Sequence, residues 1–88
     1  MIDLTDARIV RGIHSNINAT FNTPQGKETM EFLQEACGWY ESILDTENEF
    51  KTIINAGRRE VIATIMTFLN HSPEQIVAMA KQKGEGNG

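Results

Sequence analysis

The stretch from about Glu47 to Asn70 constrains the fold more than any other. Phe50, Ile53, Ile54, Gly57, Val61, Ile65, Phe68 and Leu69 recur at helical spacing over nearly all of it, and Ile62 and Met66 widen the apolar face. Its start fits a capping box, with Thr46 as cap and Glu49 reaching back to it. A helix with so broad an apolar face needs cover from more than one neighbour. The rest of the chain must therefore supply packing partners.

Those partners also read as helices. From about Leu4 to Thr20, Ile9, Ile13 and Ile17 repeat every four residues with Val10 beside them, which makes one apolar stripe. Asp3 or Thr5 is the expected N-cap. Phe21 follows and is expected to fold back over the end of the stripe. Thr23-Pro24 then starts a second helix: Thr23 caps, and Pro24 fits the first helical position, where its missing N–H costs nothing. Met30, Leu33 and Cys37 lie along its face, flanked by Phe32 and Ala36. Gly38 suits its C-terminal end, because glycine takes the left-handed conformation freely.

Trp39, Tyr40, Ile43 and Leu44 predict a short helical turn that lids the core. Ser72-Pro73 opens a fourth helix as Thr23-Pro24 opens the second, with Gln75 at the reciprocal capping position and Ile76, Val77, Met79 and Ala80 as its apolar face. Lys81 and Lys83 suit the last turn. The expected fold is all-α: a small bundle of three main helices plus a short C-terminal helix, a single domain over residues 1–83, with 84–88 a flexible Gly-rich tail.

At 88 residues the chain holds one domain. A chain this short buries roughly 60–65% of its unfolded surface, so a monomer is only marginally stable, and assembly is a common remedy. A homo-oligomer is expected on that ground. The net charge of −4 counts against a general nucleic-acid binder while leaving room for a local basic patch. One cysteine allows no internal disulfide and fits a reducing compartment. Neither a signal peptide nor a membrane span is expected.

The candidate chemical residues each have a simpler structural explanation. Cys37-Gly38-Trp39 has a superficial likeness to a cysteine-protease neighbourhood. However, Cys37 falls at a helix C-terminus, where a thiolate is disfavoured, so it reads as a small core hydrophobe. His14 and His71 stand alone, with no ligand at metal spacing, and His71 reads as a helix-end cap. Glu28, Glu31 and Glu35, like Glu47, Glu49 and Glu60, read as solvated helix faces. No catalytic residue, metal or cofactor is expected.

Two basic pairs remain as candidate protein contacts. Arg8 and Arg11 share one face of the first helix, and Arg58 and Arg59 follow Gly57 on the third. Stacked together they would form a patch for phosphate or an acidic surface, whereas within the molecule Arg58 or Arg59 would pair with acids on the second helix. Gly57 interrupts an apolar stripe at a cost of ~1 kcal/mol, which predicts close cover by Trp39, Tyr40 or Phe21 and overpacking by Gly57→Leu.

Phe21-Asn22-Thr23-Pro24-Gln25-Gly26-Lys27 reads as an F-x-T-P-x-G-(K/R) helix opening. Leu33 and Cys37 follow it, and Ala56-Gly57-Arg58-Arg59 comes later inside a long helix. This order, from about Arg8 to Leu69, resembles a family of short tailed-phage proteins represented in a Bordetella podophage and in many prophages. Ala56 departs from the acid common at that position, and the Ser72-Pro73 helix looks like an extension. The resemblance implies a helical phage protein, without catalytic residues, that belongs to a virion or its assembly and has other virion proteins as partners, located in the virion or the host cytoplasm. The alternative is a small early protein that binds and inhibits a host or defence factor. Thr23, Pro24, Gly26, Trp39, Gly57, Ser72 and Pro73 are expected to be structural.

Overall fold

The computed structural model describes residues 2–86 as four helices: α1 Ala7–Phe21, α2 Pro24–Ala36, α3 Glu49–Asn70 and α4 Pro73–Gly86. No strand occurs among the described residues. α4 has 14 residues, one more than α2, and it continues through Gly84, Glu85 and Gly86, where the sequence predicts a flexible tail. The remainder of that tail, Asn87 and Gly88, lies outside the described residues.

α1 is the hub against which the other three helices pack. It starts later than expected: Asp6, not Asp3 or Thr5, is the N-cap, accepting a hydrogen bond from the Arg8 N–H at 2.9 Å. Asp3 instead forms its own turn. It accepts from the Thr5 hydroxyl and backbone N–H, and these bonds hold its carboxyl below the ordinary 3.8. The buried stripe of α1 keeps Val10, Ile13 and Ile17 but leaves out Ile9. Val10 is fully buried, with Ile13 and Ile17 half-buried beside it, while Ile9 is exposed. Val10 joins Phe68 of α3 and Ile76 of α4 in the core, and Leu4, Ile13, Ile17 and Val77 pack around them.

α2 begins on the expected signal. The Thr23 hydroxyl accepts from the Gly26 N–H at 2.9 Å, and Pro24 takes the first helical position. Gly26 is buried against the end of α1. A Cβ there would stand 2.1 Å from the Thr20 carbonyl oxygen and 2.6 Å from the Phe21 Cα, so only glycine lets α2 fold back so closely. Phe21 is the last residue of α1 and is half-buried, lining a cleft with Met30 and Leu69. α2 ends in a Schellman motif: Gly38 has φ +68°, its N–H donates to Glu35 O, and the Trp39 N–H donates to Gln34 O. Cys37 is the C-cap and is half-buried, so it is not the core residue expected.

The segment from Trp39 to Asn48 contains no helix, only a turn through Trp39 and Tyr40 closed by the Glu41 N–H donating to Gly38 O. Tyr40 and Leu44 are largely exposed and lid nothing. Trp39 and Ile43 are half-buried, and local side chains organise the backbone that follows. The Asp45 carboxylate accepts from the Glu47 and Asn48 N–H groups, and the Thr52 hydroxyl accepts from the Asp45 N–H. Asn48 then caps α3 in place of Thr46, accepting from Phe50 and Lys51. At the next junction the expected capping box is present: Ser72 N–H donates to Gln75 Oε1 at 2.8 Å, and Gln75 N–H donates to Ser72 Oγ at 3.2 Å.

Candidate protein-interaction surface

The far end of α3 is finished by α1. The last carbonyls of a helix lack partners of their own. Here Asn18 Nδ2 donates to Phe68 O at 3.1 Å, and His14 Nε2 lies 2.9 Å from His71 O. A carbonyl only accepts, so Nε2 carries the proton. His71 adds its backbone N–H and ring Nδ1 to Thr67 O at 3.0 and 3.1 Å. Both histidines therefore serve helix ends. The His14 contact joins groups 57 residues apart in the chain, which spacing does not reveal.

These contacts set where the pair crosses. Val10 and Asn18 both meet Phe68 and His14 meets His71, so α1 crosses α3 near its C-terminal end. Arg11, next to Val10, therefore lies near that end of α3, whereas Arg58 is ten residues back from Phe68, roughly 15 Å away at 1.5 Å per residue. The two basic pairs do not form one patch. Arg8 pairs weakly with its own cap Asp6 at 3.9 Å, the only ion pair among the described residues, and Arg11 is exposed.

Arg58 and Arg59 are engaged within the molecule, though not with acids of α2. The Arg58 guanidinium donates to the Ala36 carbonyl, one of the unpaired carbonyls that end α2. The Arg59 guanidinium lies over the Trp39 ring, 4.9 Å from its centroid. Beside them the Gln34 carboxamide, buried between α2 and α3, donates to Met66 Sδ and accepts from the Tyr40 hydroxyl. Trp39 is thus a platform for a cation and does not cover Gly57. The rim of this corner is acidic: Glu31, Glu35 and Glu41, with Gly38 and Tyr40, line an open cleft of about 460 Å³. Among the described residues no group of three His, Cys, Asp or Glu side chains is placed to hold a metal ion.

The largest departure from expectation is on α3 itself. Its second half is covered: Ile62 and Phe68 are buried, and Ile65, Met66 and Leu69 are half-buried. In its first half, Phe50, Ile53, Ile54 and Val61 are 58–77% exposed. At 100° per residue these four and Gly57 fall within an arc of about 100°, an apolar stripe with nothing on it. Space above Gly57 is open: a Cβ added there would have nothing within 4 Å of it. The expected cover by Trp39, Tyr40 or Phe21 is absent, and so is the reason for overpacking by Gly57→Leu.

The stripe runs on into an apolar groove lined by Ile2, Leu4, Ile13, Ile17, Thr64 and Phe68. Phe32 adds an exposed ring on α2. The molecule is broad and thin, 43 × 41 × 20 Å, with a radius of gyration of 15.0 Å against about 12 Å for a compact domain of this length. It exposes 6651 Å², whereas a compact monomer of 9.9 kDa exposes about 5,200 Å². Phe50, Ile53, Ile54 and Val61 make the exposed apolar side chains of α3 contiguous along one face. No described helix is long and apolar enough to cross a membrane.

A family model described as Bbp19-like phage protein matches residues 17–81. The matched span takes in α2, α3 and most of α4, so the Ser72-Pro73 helix belongs to the family pattern and is not an extension. It begins at Ile17, leaving Arg8 and Arg11 outside. No curated protein and no solved structure matches the chain.

Proposed function

The chain belongs to the family of Bbp19-like phage proteins, and from that premise we propose that it is a virion-associated structural or assembly protein acting through protein–protein contacts. The observation that carries this reading is the uncovered apolar stripe of α3, continuous with the groove at Thr64 and Phe68. Association through such a surface needs shape and apolar area but no catalytic group, metal or cofactor. The proposed setting is the virion or the host cytoplasm during assembly, with portal-proximal, tail, internal and capsid positions all consistent with a small multi-copy component.

Mass spectrometry of purified particles tests the reading. The chain is expected in particles at a fixed copy number. Its absence from particles, alongside abundance in infected cells, would contradict the proposal.

A second reading, a small early protein that binds and inhibits a host factor, draws on the acidic rim of Glu31, Glu35 and Glu41. Such a rim suits a basic partner, although a net charge of −4 is modest for a nucleic-acid mimic. Expression early in infection, with a host protein co-purifying in fixed ratio, would favour that reading over the first.

A further inference from the structure

We infer that the apolar stripe of α3 is the contact surface for a second copy of this chain, with two α3 helices crossing antiparallel at Gly57. This contact does not depend on where the protein sits in a particle. Three features of the fold support it.

The first is area. The chain exposes about 1,400 Å² more than a compact monomer of its mass. A stable two-protein interface takes about 800 Å² from each partner. The excess over the whole molecule matches one such interface, and the exposed side chains of Phe50, Ile53, Ile54 and Val61 mark the face on which it would fall.

The second is Gly57. A glycine within a helix is unfavourable relative to alanine, and nothing inside this molecule compensates, since the space above it is empty. It stands at the middle of the stripe, between Phe50 and Ile54 on one side and Val61 and Thr64 on the other. The absence of a side chain there lets a second helix backbone come close.

The third is self-complementarity, and it selects the occupant. The same face carries projecting side chains at one end, Phe50, Ile53 and Ile54, and an apolar groove at the other, lined by Ile13, Ile17, Thr64 and Phe68. Phe50 and Thr64 are each seven residues from Gly57, about 10.5 Å along the helix. A two-fold axis through Gly57 therefore brings Phe50 of one copy over the Thr64 end of the groove of the other, and the reverse. Each copy supplies what the other lacks, as an isologous contact requires. Arg58, which flanks the stripe, is turned to the Ala36 carbonyl and so is kept out of this contact.

Sedimentation equilibrium of the purified full chain tests the inference, with wild type compared to Ile54→Arg, Gly57→Leu and the control Phe32→Ser. Helical circular dichroism verifies that each variant is folded; all three positions are exposed, so folding is expected to persist. Wild type and Phe32→Ser are expected at twice the 9.9 kDa chain mass at micromolar concentration. Ile54→Arg and Gly57→Leu are expected to weaken self-association by about tenfold or more. A monomeric wild type, a mass above that of a dimer, a dimer unaffected by Ile54→Arg, or one strengthened by Gly57→Leu would each overturn it.

Discussion

The two halves of α3 differ in what holds them. From Ile62 to Asn70 the helix is fixed by apolar burial: Phe68 sits with Val10 and Ile76, and α1 closes the end through Asn18 and His14. From Glu49 to Val61 it is fixed by polar tethers from the segment before it. These are Thr52 to Asp45, Asn55 to Ile43 O, Arg58 to Ala36 O and Arg59 over Trp39. The tethers occupy one side of the helix, while the apolar residues of the other side face solvent. One continuous sequence pattern thus has two fates, a core within the chain and an apolar face left in solvent. The pattern does not show where the first gives way to the second.

The largest effect expected from this contrast comes from Phe68→Ala. Removing a buried ring costs about 3–5 kcal/mol, which is comparable to the whole stability of a small helical domain. That variant should be largely unfolded, while Phe50→Ala at the other end should change stability by no more than about 0.5 kcal/mol. Urea denaturation at concentrations below self-association checks both. Equal losses would break the comparison.

The two glycines sharpen it next. Gly26→Ala places a Cβ 2.1 Å from the Thr20 carbonyl oxygen, against backbone that has little room to move. A loss of about 1–3 kcal/mol is expected. Gly57→Ala meets open space and should stabilise the dissociated chain by about 0.5–1 kcal/mol, through helix propensity alone. Opposite shifts in the thermal midpoint are the expected outcome.

Ser72→Ala removes one arm of the capping box that starts α4 and should cost about 1 kcal/mol. Because α4 covers Phe68 through Ile76, amide exchange should quicken in the second half of α3 and stay unchanged in the first. Smaller again is the effect of Arg59→Ala, which removes one tether over Trp39. A loss of about 0.5–1 kcal/mol is expected, together with a change in indole fluorescence. Arg8→Ala, a surface pair at 3.9 Å, should change nothing measurable.

What is legible in the sequence is local. Thr23-Pro24, Gly38 and Ser72-Pro73 with Gln75 act within one turn of the chain, and each is used as its chemistry predicts. Where several capping residues crowd together, the pattern misleads. Thr46 and Glu49 fit a capping box, but Asp45 takes the neighbouring N–H groups and Asn48 becomes the cap. Asp6 displaces Asp3 and Thr5 in the same way. The four-residue repeat of Ile9, Ile13 and Ile17 specifies the helix but not its phase, since Val10 lies deeper than Ile9.

The candidate contact residues are the least legible. Arg58 and Arg59 find a carbonyl and an indole supplied by the Schellman turn at Gly38, and a turn's position in space is not written in spacing. Gly57 suggests close cover inside the molecule; it marks instead a place where the molecule itself provides none.

Hydrogen exchange along α3, at protein concentrations below and above self-association, tests the central claim most directly. Amides from Ile62 to Asn70 should be protected at both concentrations, and those from Phe50 to Val61 should gain protection only at the higher one. Uniform protection along α3 at both concentrations, or a gain confined to the second half, would contradict the account.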